Sequence, residues 1–220
     1  KLSSSAFLVR AGLLFLFLFL FPMATLTTKL DSVNTMLGYL TEAPVNSIAD
    51  STAIPPSAAL AKGILDEVSR EVQSEGWHYN TAQDFKLEAD GNNQFVLPDN
   101  TMQVDSAGNA KDVIQRGLKL FDRKEQTDVF DEDQLTVDIT FLLEFEELPE
   151  QARRYITLKS SRMLMNRLVG SRELEALIYR DELVAKSRME EAEGRNSDRT
   201  IFNNYDAASR IGINRRLDIA

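Results

Sequence analysis

The chain has 220 residues, a formal net charge of −9 and no cysteine. The lack of cysteine excludes disulfides, thiolate metal sites and a cysteine nucleophile. The acidic balance argues against a surface that coats nucleic acid, because such surfaces carry a basic excess. It is compatible with an acidic channel wall along which DNA slides without sticking.

Residues 1–22 differ in composition from the rest of the chain. Leu13 to Phe21 is an unbroken run of leucine and phenylalanine, but a bilayer span needs about 20 apolar residues. A basic start and a short apolar run are the outline of a secretory signal, although the cleavage site is poorly formed. We expect Met23 to be the true start, with residues 1–22 as upstream sequence. An exported or membrane-anchored protein is the alternative.

Residues 23–80 are predicted to form a pair of helices. The first helix follows a capping residue at Thr27 or Thr28, and the second opens at Ser57 and closes at Gly76. Their apolar stripes are Leu26, Leu30, Val33, Leu37 and Leu40 in the first helix, and Leu60, Ile64, Leu65, Val68 and Val72 in the second. Because short helices are marginal alone, we expect both to dock on a C-terminal helical pair.

The period of the hydrophobic pattern changes over residues 81–145. Apolar and polar residues alternate strictly from Gln134 to Phe141, as in a half-buried strand. Shorter strand candidates surround Phe85, Phe95 to Leu97, Val104, Ile114 and Leu118 to Phe121, with turn signals between them. The pattern predicts an antiparallel β-meander inserted between two helical pairs, which is an α+β fold.

Residues 146–195 are predicted to form the C-terminal helical pair, which packs on the N-terminal helices. Pro149 suits the first turn of one helix, Gly170 can end it, and Ser171 can cap the next helix. The first helix is apolar around much of its circumference. This indicates either a central core helix or a helix that also touches another subunit.

The second helix of this pair shows an apolar face at helical spacing, formed by Leu174, Leu177, Ile178, Val184, Ala185, Met189 and Ala192. Glu182 and Lys186 lie four residues apart on the side that is expected to face solvent. The periodicity ends after Gly194, and residues 196–220 are expected to be a mobile tail.

Few residues could carry catalysis. His78 is the only histidine, and its aromatic neighbours favour packing over acid–base chemistry. No zinc site, other metal site or cofactor site is predicted, and no nucleophile or phosphate-binding motif is found. Acidic clusters could serve a polysaccharide hydrolase through paired carboxylates, but their positions favour solvated or capping roles. The clusters are Asp131 to Asp133, and Glu144 with Glu146 and Glu147. We therefore expect no enzyme and keep the hydrolase as an alternative.

Basic side chains cluster on the C-terminal helical pair at Arg153, Arg154, Arg162, Arg167 and Arg172. A phosphate-binding surface needs a one-sided basic excess, which this acid-rich chain lacks. We therefore predict that these arginines form a subunit or partner interface, in which they pair with acidic residues of a neighbouring copy.

Two runs of sequence are distinctive together. Gln73 to Asn80 has the pattern Q-x-x-G-W-x-x-N, and Leu148 to Gly170 contains L-P, R-Y, R and G in that order. With Ser32 to Gly38 and Glu42 to Val45, they resemble the tail tubular protein A family in order and spacing. This family comprises adaptor proteins of short-tailed double-stranded DNA phages. The resemblance covers about residues 25–195, and the apolar leader has no counterpart in it.

The resemblance implies a structural protein of the virion tail, made in the host cytoplasm and not bound to a membrane. Such adaptors form a ring, typically of twelve copies, between the portal protein and the tail nozzle, tail tubular protein B. Tail fibres dock near this junction, and DNA leaves through the lumen without specific binding. A closed ring needs a heterologous contact, in which one face of each copy complements a different face of the next.

Overall fold

The computed structural model of the protein describes residues 25–50, 53–107 and 111–196. Its elements are α1 (Lys29–Tyr39), α2 (Pro56–Gln73), β1 (Thr81–Glu88), β2 (Thr101–Ser106), β3 (Val113–Arg116), β4 (Lys119–Asp122), β5 (Gln134–Phe141), a 3-10 turn (Phe145–Glu147), α3 (Glu150–Leu168) and α4 (Arg172–Asn196). These helices and antiparallel strands confirm the predicted α+β class. The predicted leader and the tail from residue 197 onward lie outside the described residues.

A reciprocal capping box starts α1. The Thr28 hydroxyl accepts a hydrogen bond from the Asp31 N–H at 3.1 Å, and the Asp31 carboxylate accepts one from the Thr28 N–H at 3.0 Å. These bonds satisfy donors that have no partner inside the helix. Hydrogen bonds from the Thr28 side chain and main chain hold the pKa of Asp31 below its ordinary value.

α1, α2 and α3 enclose the main hydrophobic core, and α4 covers one side of α3. α3 is the central helix of this group, since ten of its residues are buried, among them Ile156 and Leu164. The core residues from the two N-terminal helices are Val33, Met36 and Leu37 in α1, and Ala58, Ala61, Ile64, Leu65, Val68 and Val72 in α2. This burial is what the first of the two alternatives, a central core helix, predicts for this part of the chain.

The sheet is antiparallel, as predicted, but its strand order is not that of a meander. β5 lies in the middle of a three-stranded sheet of order β1-β5-β2, and β3 pairs with β4 in a separate hairpin. β5 has the longest strict alternation, so Leu135, Val137 and Ile139 face a second core while both of its edges pair with neighbours. The last strand of the region therefore becomes the central one.

A polar joint connects the end of α2 to the end of β5. Gln73 is fully buried, and its side chain bonds to the main-chain N–H and carbonyl of Leu143 at 2.8 and 3.0 Å. Asn80 donates from Nδ2 to the carbonyls of Gln73 and Phe141, both at 2.9 Å. Gly76 adopts the left-handed φ of 74° that turns the chain between them. These bonds fix the sheet relative to the helices.

α4 docks through a narrower stripe than the sequence predicts. Its buried residues are Ile178, Glu182, Ala185 and Met189, at spacings of four, three and four. Leu174, Leu177 and Val184 are 41%, 58% and 52% exposed, so their placement on the buried face was wrong. The helix carries apolar residues on more than one side, and periodicity alone does not tell which side meets α3.

The predicted solvent-facing pair on α4 was also wrong. Glu182 is 6% exposed and bonds to Arg162 of α3, while Lys186 lies 3.8 Å from Glu190 instead. A carboxylate can be buried when a partner guanidinium and its hydrogen bonds compensate for lost water. The partner lies twenty residues away in the chain, which local spacing does not reveal.

Candidate subunit interface

Arg153 lies inside the chain and not on its surface. It is 3% exposed, and it donates to the carbonyls of Leu148 at 2.7 Å, of Thr27 at 2.8 Å and of Glu146. Glu150 holds the same N-terminal segment by accepting from the Thr27 N–H at 3.0 Å. The guanidinium thus fastens two segments of main chain to the start of α3, and its donors are used within the chain.

Arg162 and Arg167 also bind partners within the chain. Arg162 forms a two-bond pair with Glu182, in which Nε lies 2.5 Å and Nη2 lies 3.1 Å from the carboxylate oxygens. The hydrogen bond to Glu182 raises the pKa of the Arg162 guanidinium. Arg167 lies 3.1 Å from Glu67 and joins α3 to α2. These two arginines therefore hold α4 and α2 against α3.

Arg154 and Arg172 have the exposure that an interface requires. Both are exposed, and neither has a hydrogen bond or ion pair with another residue in the described part of the chain. The same is true of Arg180 and Arg188, which the sequence analysis missed. The signal that could have found them is their helical spacing with the apolar residues Leu177 and Val184, in steps of three, four and four residues. All four lie on the C-terminal helical pair.

Large exposed apolar side chains concentrate in the same part of the molecule. Seven of the twelve on the described surface fall between residues 168 and 184, and these are Leu168, Val169, Leu174, Leu177, Tyr179, Leu183 and Val184. Single exposed apolar residues are ordinary, but a contiguous group marks an interaction surface. The outward side of α4 is therefore a candidate contact surface.

Charge is divided unequally between the β region and the C-terminal helices. Residues 81–145 contain fourteen acidic and six basic side chains, whereas residues 146–195 contain ten of each. Asp105 and Asp138 lie directly opposite each other on β2 and β5, and the Asp84 N–H donates to Asp138 Oδ1 at 3.0 Å. Like charges in such positions repel each other. Lys86 lies on the same face of the sheet, opposite Thr136, and no ion pair joins Asp105 or Asp138 to a cation among the described residues. The sheet therefore presents an acidic surface that the described residues compensate only in part.

Comparison with known protein families is decisive for the class of protein. A family model described as tail tubular protein matches residues 30–199, which is most of the chain. The chain belongs to the tail tubular protein family. A search of curated proteins found no match. Membership supports a structural role in a phage tail, in assembly with other tail proteins.

The motifs that resemble tail tubular proteins have structural roles in this member of the family. Gln73, Gly76 and Asn80 build the polar joint between α2 and the sheet. Trp77 is 9% exposed and its Nε1 donates to the Val72 carbonyl at 2.7 Å, so it packs in the core. In the second motif, Arg153 fastens the start of α3. The resemblance therefore rests on residues that shape the fold.

The acidic clusters that suggested a hydrolase are placed as structural contacts. Glu147 accepts from the Glu144 N–H at 3.1 Å across the 3-10 turn, and Glu146 accepts from the Lys29 N–H at 3.2 Å. Glu132 lies 3.1 Å from Lys111. In these positions the carboxylates cap main-chain donors or form ion pairs.

His78 likewise connects two parts of the fold. Its ring Nδ1 pairs with Glu193, and its main-chain N–H donates to the same carboxylate at 3.0 Å. The contact ties the turn after α2 to the C-terminal part of α4. Among the described residues, no group of histidines and carboxylates could hold a metal ion. No helix in the described ranges has the length and apolar character that a membrane span needs, and Leu13 to Phe21 lies outside them.

Proposed function

We propose that this protein is the adaptor ring of a short-tailed phage, placed between the portal protein and the tail nozzle. Twelve copies form the ring, tail fibres dock beside it, and DNA passes through its lumen during ejection. Membership of the tail tubular protein family over residues 30–199 is the observation that carries the proposal. The net charge of −9 supports a channel wall to which DNA does not adhere.

Ring closure requires two different complementary surfaces on each copy. The C-terminal helical pair supplies one candidate, since Arg154 and Arg172 are exposed and have no partner among the described residues. The β region supplies the other, because its acidic residues outnumber its basic ones by eight. Arg162 supports this contact indirectly by holding α4 on α3. Arg153 and Arg167 support it by holding α3 on the N-terminal part of the chain.

Mass photometry and negative-stain microscopy of the purified protein, alone and with its portal protein, test the proposal. We expect closed rings that seat on the portal. Reversing two charges, Arg154→Glu with Arg172→Glu, should lower the ring fraction about tenfold, because like charges then face each other. The matched control is Arg70→Glu with Lys124→Glu, which reverses two exposed charges outside the C-terminal helical pair and leaves the acidic balance of the β region in place. A wild-type protein that stays monomeric beside its portal contradicts the adaptor role.

A further inference from the structure

One side of α4 carries a regular row of exposed residues. Leu177, Arg180, Val184 and Arg188 follow at spacings of three, four and four, which places them on one stripe of the helix. We name these four residues the outer stripe. It runs beside the stripe that docks on α3, and its two apolar members are more than half exposed. Apolar and guanidinium side chains alternate along it.

The described part of the chain does not cover the outer stripe. α4 packs on α3 through its buried stripe, and the contact between Glu193 and His78 lies near its C-terminal end. Neither arginine of the stripe has a partner among the described residues. Glu173 and Asp181 lie next to the stripe on the same helix, and they repel carboxylates that approach from its sides. An acidic partner therefore has to contact the arginines from the outer face of the helix.

The sheet of the same chain has the complementary chemistry. Asp105 is exposed on β2, directly opposite Asp138 on β5, and Asp84 approaches Asp138 through its main-chain N–H. Lys86 is the one basic residue of these three strands, and it has no ion pair with either carboxylate among the described residues. Facing carboxylates repel each other, and an inserted guanidinium removes the repulsion while it forms charge-assisted hydrogen bonds. A second copy of this chain therefore offers the carboxylates that the outer stripe lacks. The stripe in turn offers the guanidinium groups that the sheet lacks.

We propose that the outer stripe of one copy docks on the acidic face of the β1-β5-β2 sheet of the next copy. Arg180 and Arg188 lie over Asp105 and Asp138, and Leu177 and Val184 are covered by the same contact. The two surfaces are different, as a ring that closes by rotation requires. This inference rests on the proposed adaptor ring and identifies its subunit contact.

A charge-swap experiment tests the contact in the full chain. The stripe variant is Arg180→Glu with Arg188→Glu, and the sheet variant is Asp105→Lys with Asp138→Lys. Each alone should lower the ring fraction on the portal at least tenfold, because every subunit contact becomes repulsive. An equimolar mixture should restore rings that contain both variants in equal amounts, because each contact then joins opposite charges. Circular dichroism and urea unfolding check that each variant is folded, and the control is again Arg70→Glu with Lys124→Glu.

The outcomes separate this inference from the adaptor role. If wild-type protein forms no ring with its portal, the adaptor role fails. If wild-type rings form and the stripe variant assembles equally well, the outer stripe is not the contact. A further result is that the stripe variant forms no rings while the sheet variant does form them, or while the mixture of the two forms none. In either case the stripe binds another surface or another tail protein. Each of the last two results overturns the proposed docking. If the sheet variant does not fold, a chain with Asp105→Lys alone is mixed with the stripe variant instead. If this mixture restores no rings, the proposed docking is overturned as well.

Discussion

α3 and α4 follow each other along the chain, yet the protein uses them in opposite ways. α3 buries ten of its nineteen residues, whereas α4 buries four of twenty-five. The charged residues differ in the same way, since Arg153, Lys159 and Arg162 of α3 have partners within the chain. Arg180 and Arg188 of α4 have none in the described residues. α3 therefore holds the fold together, and α4 is left available for other contacts.

This comparison teaches that similar residue types have different consequences at different positions. Arginine stabilises the fold where carbonyls or a buried carboxylate accept its bonds, as at Arg153 and Arg162. An exposed arginine contributes little to the stability of one chain. It can instead contribute to the affinity between chains. Stability measurements should therefore be sensitive to α3, and assembly measurements should be sensitive to α4.

The largest expected difference between the helices is in apolar packing. Ile156→Ala on α3 should lower the free energy of unfolding by about 3 kcal/mol, because it leaves a cavity in a fully buried site. Leu177→Ala on α4 should change it by less than about 0.5 kcal/mol, since that side chain is 58% exposed. Urea unfolding followed by circular dichroism measures both. Equal costs would show that α3 is not the central helix.

The next effect concerns a pair of adjacent arginines. Arg153→Met should destabilise the protein by about 3 kcal/mol, because the carbonyls of Thr27, Glu146 and Leu148 lose their donor in a buried place. Arg154→Met, one residue further on and exposed, is the control and should cost less than about 0.5 kcal/mol. The midpoint of urea unfolding compares the two variants. A neutral result at Arg153 would remove the internal role assigned to it.

A smaller effect is expected where α4 joins α3. Glu182→Ala should cost about 2 kcal/mol, because Arg162 loses two charge-assisted hydrogen bonds in a partly buried site. The neighbouring Asp181→Ala removes an exposed carboxylate and should be close to neutral. Hydrogen exchange of α4 amides adds a local readout, and protection should fall in α4 before it falls in α3. Unchanged protection would argue that the pair does not hold α4.

The smallest effect belongs to the cap of α1 and depends on pH. The pKa of Asp31 lies below its ordinary value in the fold, so its charged form stabilises the protein. This stabilisation is present above the unfolded pKa and is lost as the pH falls through the folded pKa. Asp31→Asn should therefore cost about 1 kcal/mol at pH 7 and progressively less in acid. The free energy of unfolding of the wild type and of the Asp31→Asn variant is measured at pH 7 and at pH 3. The same difference between the two proteins at both pH values would contradict the role of the cap.

Local patterns were sufficient to predict the type of most elements. The alternation from Gln134 to Phe141 matches β5, and Gly170 with its φ of 67° ends α3 as expected. Thr27 or Thr28 was predicted to cap α1, and Thr28 is the residue that does so. These features depend on neighbours within a few residues, so they are visible in one stretch of sequence.

The exposure of the arginines in the predicted interface could not be read from the sequence. The sequence identified the basic C-terminal helical pair, but it did not separate Arg153, which is buried, from Arg154, which is exposed. It also missed Arg180 and Arg188. The difference between a stabilising arginine and an available one depends on carbonyls and carboxylates from distant parts of the chain, which residue spacing does not specify.

The amino-acid sequence by itself determined the helices, most of the strands, the absence of cysteine chemistry and the resemblance to tail tubular proteins. The tertiary structure decided that β5 lies in the middle of its sheet, that Glu182 is buried, and that the described residues leave one apolar and basic side of α4 uncovered. The physical reason is the range of the interactions. Helix caps, turns and periodicity act between near neighbours, while burial and ion pairing depend on which distant segments the fold brings together.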